Sequence, residues 1–186
     1  MLQELRTDHL ILREITEQDA PALFEYFSSD KAMQFYGMNP LTTLEQMEYI
    51  VKGMASGYEK KQAVRWGVQL KDHQELIGTI GFNNWSRMHK KAELGYDLNP
   101  RHWRKGYMFE AISKVIQYGF DEISLNRIGA FVYLDNEASN RILEKIGFHK
   151  EGTLKDYYFS YDKHHDVNVY RLLQSEFSNN NIRLSR

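Results

Sequence analysis

The stretch from Ala92 to Met108 constrains this chain more than any other. A strand-like run, Ala92-Glu93-Leu94-Gly95-Tyr96-Asp97-Leu98, breaks at Asn99-Pro100 and passes through Arg101-His102-Trp103-Arg104-Lys105-Gly106 into an amphipathic helix. The first N–H groups of such a helix have no intrahelical partner. The helix dipole adds partial positive charge there, so a phosphate is stabilised before any side chain acts. Arg101, Arg104 and Lys105 add full charges, and Gly106 lets the backbone approach a ligand closely.

Around this segment the periodicity predicts a mixed α/β domain. Leu10–Arg13 reads as a strand. Thr16, with Asp19 three residues on, announces a helix whose Ala22, Leu23, Tyr26 and Phe27 share one face. Thr42-Thr43-Leu44-Glu45-Gln46 opens a second helix, with Met47, Ile50, Val51 and Met54 on its apolar side, running toward Gly57. Strands follow at Ala63–Leu70, Glu75–Phe82 and Lys91–Leu98, joined by turns of hairpin length. The helix after the basic turn carries Met108, Ala111, Ile112, Val115 and Ile116, and a strand from Arg127 to Tyr133 comes next. Asp135 or Asn136 caps a short helix with Ile142, Leu143 and Ile146 inward and Gly147 as its C-cap. Strands near His149–Tyr158 and Val167–Leu173 complete the sheet, and the polar residues from Ser178 onward read as a frayed tail.

Composition narrows the chemistry. The 186 residues suffice for one substantial core. With 24 Lys and Arg against 25 Asp and Glu, the balance argues against broad binding to nucleic acid, DNA included, while allowing a local basic pocket. The absence of cysteine removes disulfides, a Cys nucleophile and Cys-based metal sites. The histidines show no metal-ligand spacing, and the expectation is that no metal takes part. No apolar run approaches the roughly 18 residues of a membrane span, and no signal-like segment opens the sequence. These features together predict a cytoplasmic protein without a membrane partner, and leave room for a homodimer.

Three segments carry a family resemblance. They are Ala92–Tyr96 with its continuation through Trp103–Met108 to Glu110-Ala111; Asn136-Glu137-Ala138-Ser139-Asn140-Arg141 running into Leu143-Glu144-Lys145-Ile146-Gly147-Phe148; and Glu151-Gly152-Thr153-Leu154 with the later Asp166 and Tyr170. In this order the chain, from about Leu5 to Phe177, resembles the GNAT superfamily of acyl-CoA-dependent N-acyltransferases. Within it the closest likeness is to the Rim-type branch that acetylates protein N-termini.

That resemblance implies a mostly antiparallel sheet with a splayed parallel strand pair that admits acetyl-CoA. The pyrophosphate would lie at Arg101–Tyr107 and the start of the helix at Met108, with Arg101 in the loop's first position, Gly106 in its last, and Arg104 where a glycine is usual. The Leu98 N–H would polarise the thioester carbonyl, and Asn136 would bond pantetheine. Glu93 is the preferred base for the amine, with Asp97, on the same strand face by two-residue alternation, as its substitute. Many relatives place a tyrosine where this chain has Leu143, so Ser139 becomes the donor to the leaving thiolate. The implied acceptor is a protein N-terminus, ribosomal proteins included. A small amine such as a polyamine or antibiotic, or a non-catalytic acyl-CoA-binding module, are the alternatives. Phe35, Tyr36, Trp66, Trp85, Tyr157, Tyr158 and Tyr161 are candidate walls of an acceptor groove.

Overall fold

The structure is a computed structural model that describes residues 2–179. Eight strands form one sheet in the order β1-β2-β3-β4-β5-β6-β8-β7, with β1 Leu5–Arg6, β2 Leu10–Glu14, β3 Val64–Leu70, β4 Leu76–Ser86, β5 Lys91–Leu98, β6 Arg127–Tyr133, β7 His149–Ser160 and β8 Lys163–Leu173. Every neighbouring pair is antiparallel except β5 and β6. The helices are α1 Ala20–Phe27, α2 Asp30–Met33, α3 Leu44–Glu59, α4 Tyr107–Asp121, α5 Glu137–Ile146 and α6 Gln174–Asn179.

Local chemistry accounts for most of these boundaries. The Thr16 N–H donates to the Asp19 carboxylate at 2.8 Å, which closes a short 3-10 turn before α1. The Thr43 N–H donates to Gln46 Oε1 at 3.2 Å at the start of α3. Asn136 caps α5 by accepting the Ser139 N–H at 3.1 Å, and Gly147 ends the helix in the left-handed region at φ +104°. Several expectations need correction. On α1 Ala20, not Ala22, faces the core, because the 3-10 turn sets the helix's rotation. The short elements β1, α2 and α6 carry too few residues to show a period, α3 runs past Gly57 to Glu59, and β8 begins at Lys163. The polar C-terminal stretch is helical through Asn179, and its remainder lies outside the described residues.

Two apolar clusters flank the sheet. The larger joins α4 and α5 to Leu10, Leu12, Trp66, Ile80, Phe82, Ile128 and Leu172; the smaller gathers Leu23, Phe27, Met33, Met47 and Val51 from α1, α2 and α3 over Leu76. Close backbone contact holds the sheet's centre tight. A Cβ on Gly81 would stand 2.0 Å from the Val64 carbonyl oxygen and 2.7 Å from Arg65 Cα.

The feature that positions the site is a divergence. The parallel pairing of β5 with β6 covers only Lys91↔Arg127, Ala92↔Ile128 and Glu93↔Gly129. β4 follows β5 onward to Leu98, and β8 follows β6 to Tyr133. Each strand is therefore held on its outer side while the inner sides part beyond Glu93.

Gly81→Ala should lower stability by about 2 kcal/mol or more, since the added methyl meets backbone that cannot move aside. Urea denaturation of the variant beside the wild type measures this directly.

Candidate functional site

Two adjoining cavities occupy the gap between β5 and β6. The first, about 560 Å³, runs between Leu98, Arg104, Gly106, Tyr107 and Met108 on one side and Asn136, Ala138, Ser139 and Ile142 on the other. The second, about 260 Å³, is walled by Arg65, Asn83, Glu93, Gly95, Phe131, Tyr133 and Tyr158. They share Phe35, Tyr36, Tyr96, Asn136 and Ser139. The two chambers thus adjoin where the strands diverge.

The first cavity has the properties of an anion site. Gly106 caps α4 in the left-handed region at φ +86°, and no side chain caps the helix, so its leading N–H groups are presented to the groove. A Cβ on Gly106 would meet nothing within 4 Å. Arg104 also adopts a left-handed backbone, φ +62°, which is costly for a non-glycine residue and explains why a glycine is usual there. Arg104 lines the groove. Arg101 does not: its guanidinium pairs with Glu25 at 2.6 Å, with both side chains exposed. Lys105 is exposed beside the loop and lies outside the lining.

At the end of β5 the Asn99 N–H donates to the Ile77 carbonyl at 2.8 Å, and the Trp103 indole N–H donates to the Leu98 carbonyl at 2.8 Å. Main-chain groups of successive strand residues point to opposite edges, which turns those of Leu98 toward the gap. Leu143 is fully buried in the larger core. The polar group that reaches the opening instead is Tyr96, whose hydroxyl lies 2.5 Å from Ser139 Oγ. Burial pushes the Tyr96 phenol well above its ordinary pKa, with the Ser139 bond pulling the other way, so it stays protonated. Tyr96 lies inside the Ala92–Tyr96 motif without its role being evident from that motif. Its signal was a phenol between Leu94 and Leu98 in the strand's alternate row.

The two carboxylates of β5 have different fates. Asp97 is buried and fully engaged: Oδ1 accepts from the Tyr26 hydroxyl (2.5 Å) and the Thr79 N–H (3.0 Å), and Oδ2 from the Thr79 hydroxyl (2.5 Å) and Arg65 Nη2 (3.0 Å). No position on it remains for a substrate proton. Glu93 accepts one bond, from Asn84 Nδ2 at 2.8 Å, and faces the second cavity. Asn84 reaches it from a left-handed backbone, φ +49°, at the irregular end of β4.

The aromatic wall depends on a bulge. The β7–β8 register shifts between Leu154 and Tyr158, and Asp156 turns left-handed, its N–H held by Asp166 at 3.0 Å. Tyr157 then stacks on Phe131 and Tyr158 on Tyr133. Burial, then the charges of Tyr157 and Glu93, push the Tyr158 phenol up to about 12. Of the aromatic candidates, Phe35, Tyr36 and Tyr158 line the cavities, Trp66 is buried in the core, Trp85 packs against it, and Tyr157 and Tyr161 do not reach the lining. Tyr170 holds α5 in place through its hydroxyl, whose one proton is shared between Asn140 Oδ1 (2.9 Å) and Glu144 Oε1 (3.0 Å).

Comparison with known proteins decides the family. The acetyltransferase (GNAT) domain model matches residues 9–149, which is most of the chain. The chain belongs to the GNAT family. An uncharacterized N-acetyltransferase of Bacillus subtilis (strain 168), YoaA, is 47% identical over 174 residues, covering 94% of this chain and 98% of the relative. The [ribosomal protein uS5]-alanine N-acetyltransferase of Escherichia coli (strain K12) is 30% identical over 162 residues, covering 82% and 81%. The crystal structure of a GNAT-family acetyltransferase from Bacillus anthracis superposes with a TM-score of 0.82 at 27% identity, covering 94% of this chain and all of that one. This GNAT chain is an acetyl-CoA-dependent N-acyltransferase, and the first cavity, with an uncapped helix N-terminus at one end, suits its phosphorylated acyl donor. Among the described residues no helix is long and apolar enough to cross a membrane.

Asp97→Ala should destabilise the fold by about 3–5 kcal/mol, because it strands the Arg65 guanidinium in the interior. Chemical denaturation reads the loss, and a stable, inactive Asp97→Asn protein would instead mark Asp97 as the base.

Proposed function

We propose that this enzyme acetylates the α-amine of a protein or peptide N-terminus, with ribosomal proteins as candidate substrates in the cytoplasm. The observation that carries this reading is the second cavity itself: one carboxylate, Glu93, set among aromatic rings and opening onto the donor groove. A polyamine presents several cations, and this lining offers a single acid beside the guanidinium of Arg65. A lone ammonium on an apolar or peptide body fits better. The uS5-alanine N-acetyltransferase among the relatives points the same way.

In this reading the donor's phosphates lie against the N-terminus of α4 and Arg104, and pantetheine passes Asn136, whose NH2 group is left free by the capping role of its oxygen. The Leu98 N–H stabilises the oxyanion. Glu93, directly or through a water, takes a proton from the ammonium; the nitrogen lone pair forms the N–C bond, the second proton of the nitrogen passes to solvent, and collapse of the tetrahedral intermediate breaks the C–S bond. Tyr96 donates to Ser139 Oγ, which frees the Ser139 proton for the departing thiolate, with solvent replacing it. No covalent enzyme intermediate is needed, and no metal.

Glu93→Gln should retain coenzyme A affinity and lose about two to four orders of magnitude in turnover, most severely where the amine is protonated. A pH–rate profile on an N-terminal alanyl peptide, paired with calorimetry, tests this, and a near-normal profile would remove Glu93 from the mechanism. Gly106→Val forces a branched side chain into a left-handed position at the helix entry. It should weaken coenzyme A binding about 10-fold or more, read by the same calorimetry.

A further inference from the structure

The second cavity also holds two hydrogen-bond donors that acetyl transfer as described leaves unused. Arg65, Gly81 and Gly95 stand in register across β3, β4 and β5. The Arg65 side chain is 9% exposed; its Nε donates to Thr79 Oγ1 at 2.9 Å and its Nη2 to Asp97 at 3.0 Å. Its Nη1 has no hydrogen bond to a protein group among the described residues, and neither has Asn83 Nδ2. The two nitrogens converge on one place. A Cβ built on Gly95 would lie 2.9 Å from Asn83 Nδ2 and 3.3 Å from Arg65 Nη1.

The missing side chain at Gly95 therefore leaves a niche lined by N–H donors, one of them on a buried cation. Such a niche selects an oxygen acceptor. Glu93 sits two residues earlier on the same strand face and directly opposite Asn83 in register. Glu93 and the niche over Gly95 lie two residues apart on one strand face, and the α-amino acyl unit, with its amine and carbonyl oxygen on adjoining carbons, offers one group to each. Simple alkylamines and polyamines lack that oxygen.

We propose that Arg65 and Asn83 bind the first carbonyl oxygen of the acceptor peptide over Gly95, and so restrict this enzyme to α-amino acyl substrates. The proposal rests on the reading that the acceptor occupies the second cavity. It makes Gly95 a specificity-determining position, since even a methyl group there fills the niche, while the flexible ends of Arg65 and Asn83 can yield enough for the fold to survive.

The test compares kcat/KM for an alanyl peptide with that for the same peptide carrying a trans-alkene in place of its first amide, which keeps the amine and deletes the oxygen. Wild type should prefer the true peptide by about 10- to 100-fold, as expected for a hydrogen bond to a charged donor. Gly95→Ala and, independently, Asn83→Ala at the exposed rim should shrink that preference, mainly through KM. Free alanine tells whether a carboxylate serves as well as a peptide carbonyl. Equal use of the two peptides by wild type, or a preference that both variants retain, overturns the proposal while Glu93→Gln still reports on the cavity. If wild type acetylates neither peptide, both readings fall.

Discussion

Everything in this structure that bears on catalysis depends on the short parallel contact between β5 and β6. Parallel pairing ends at Glu93 because each strand is committed on its other side, β5 to β4 and β6 to β8, and the twist of the two halves carries them apart. A longer contact would close the opening between the chambers and pair the main-chain groups of Leu98 within the sheet. The divergence opens the sheet, with a groove against α4 and α5 on one side and an aromatic chamber on the other.

Keeping strands apart requires a rigid frame, and polar groups at and near the core supply it. Asp97 gathers Tyr26 from α1, Arg65 from β3 and Thr79 from β4 into one network, fixing the free half of β5 from outside. On the far side Tyr170, Asn140, Asn168 and Glu144 join β8 to α5, so the helix that bears Asn136 and Ser139 cannot drift from the gap. Such networks favour one arrangement, because a shift would break the pairing of a buried donor or charge. The same logic separates the two β5 carboxylates. Asp97 serves the frame, and Glu93, with a single side-chain partner in Asn84, remains open to the chamber.

Much of this was legible in the residues. The period-two runs, the capping pairs Thr16/Asp19 and Thr43/Gln46, and the Asn136 and Gly147 signals located the larger elements, because their hydrogen bonds are local. The basic turn before α4 was visible for the same reason, including the departure at Arg104. What local reasoning could not supply were the partners of each side chain. Arg101 looked equivalent to Arg104 in the sequence, yet it turns away to Glu25, seventy-odd residues earlier in the chain. Tyr96 and Arg65 gave little notice of their positions, since both acquire their surroundings from distant strands and helices.

The sequence by itself determined the family, the acyl donor and the strand–loop–helix unit with its basic turn, because those features rest on backbone geometry and short-range spacing. Only the tertiary structure decided which side chains converge. It set Asp97 into the frame and left Glu93 open, brought Tyr96 to Ser139, and joined Arg65 to Asn83 over the bare backbone of Gly95. The physical reason is that each of these meetings spans strands or helices far apart in the chain, and is fixed by sheet register and by the point at which β5 and β6 separate.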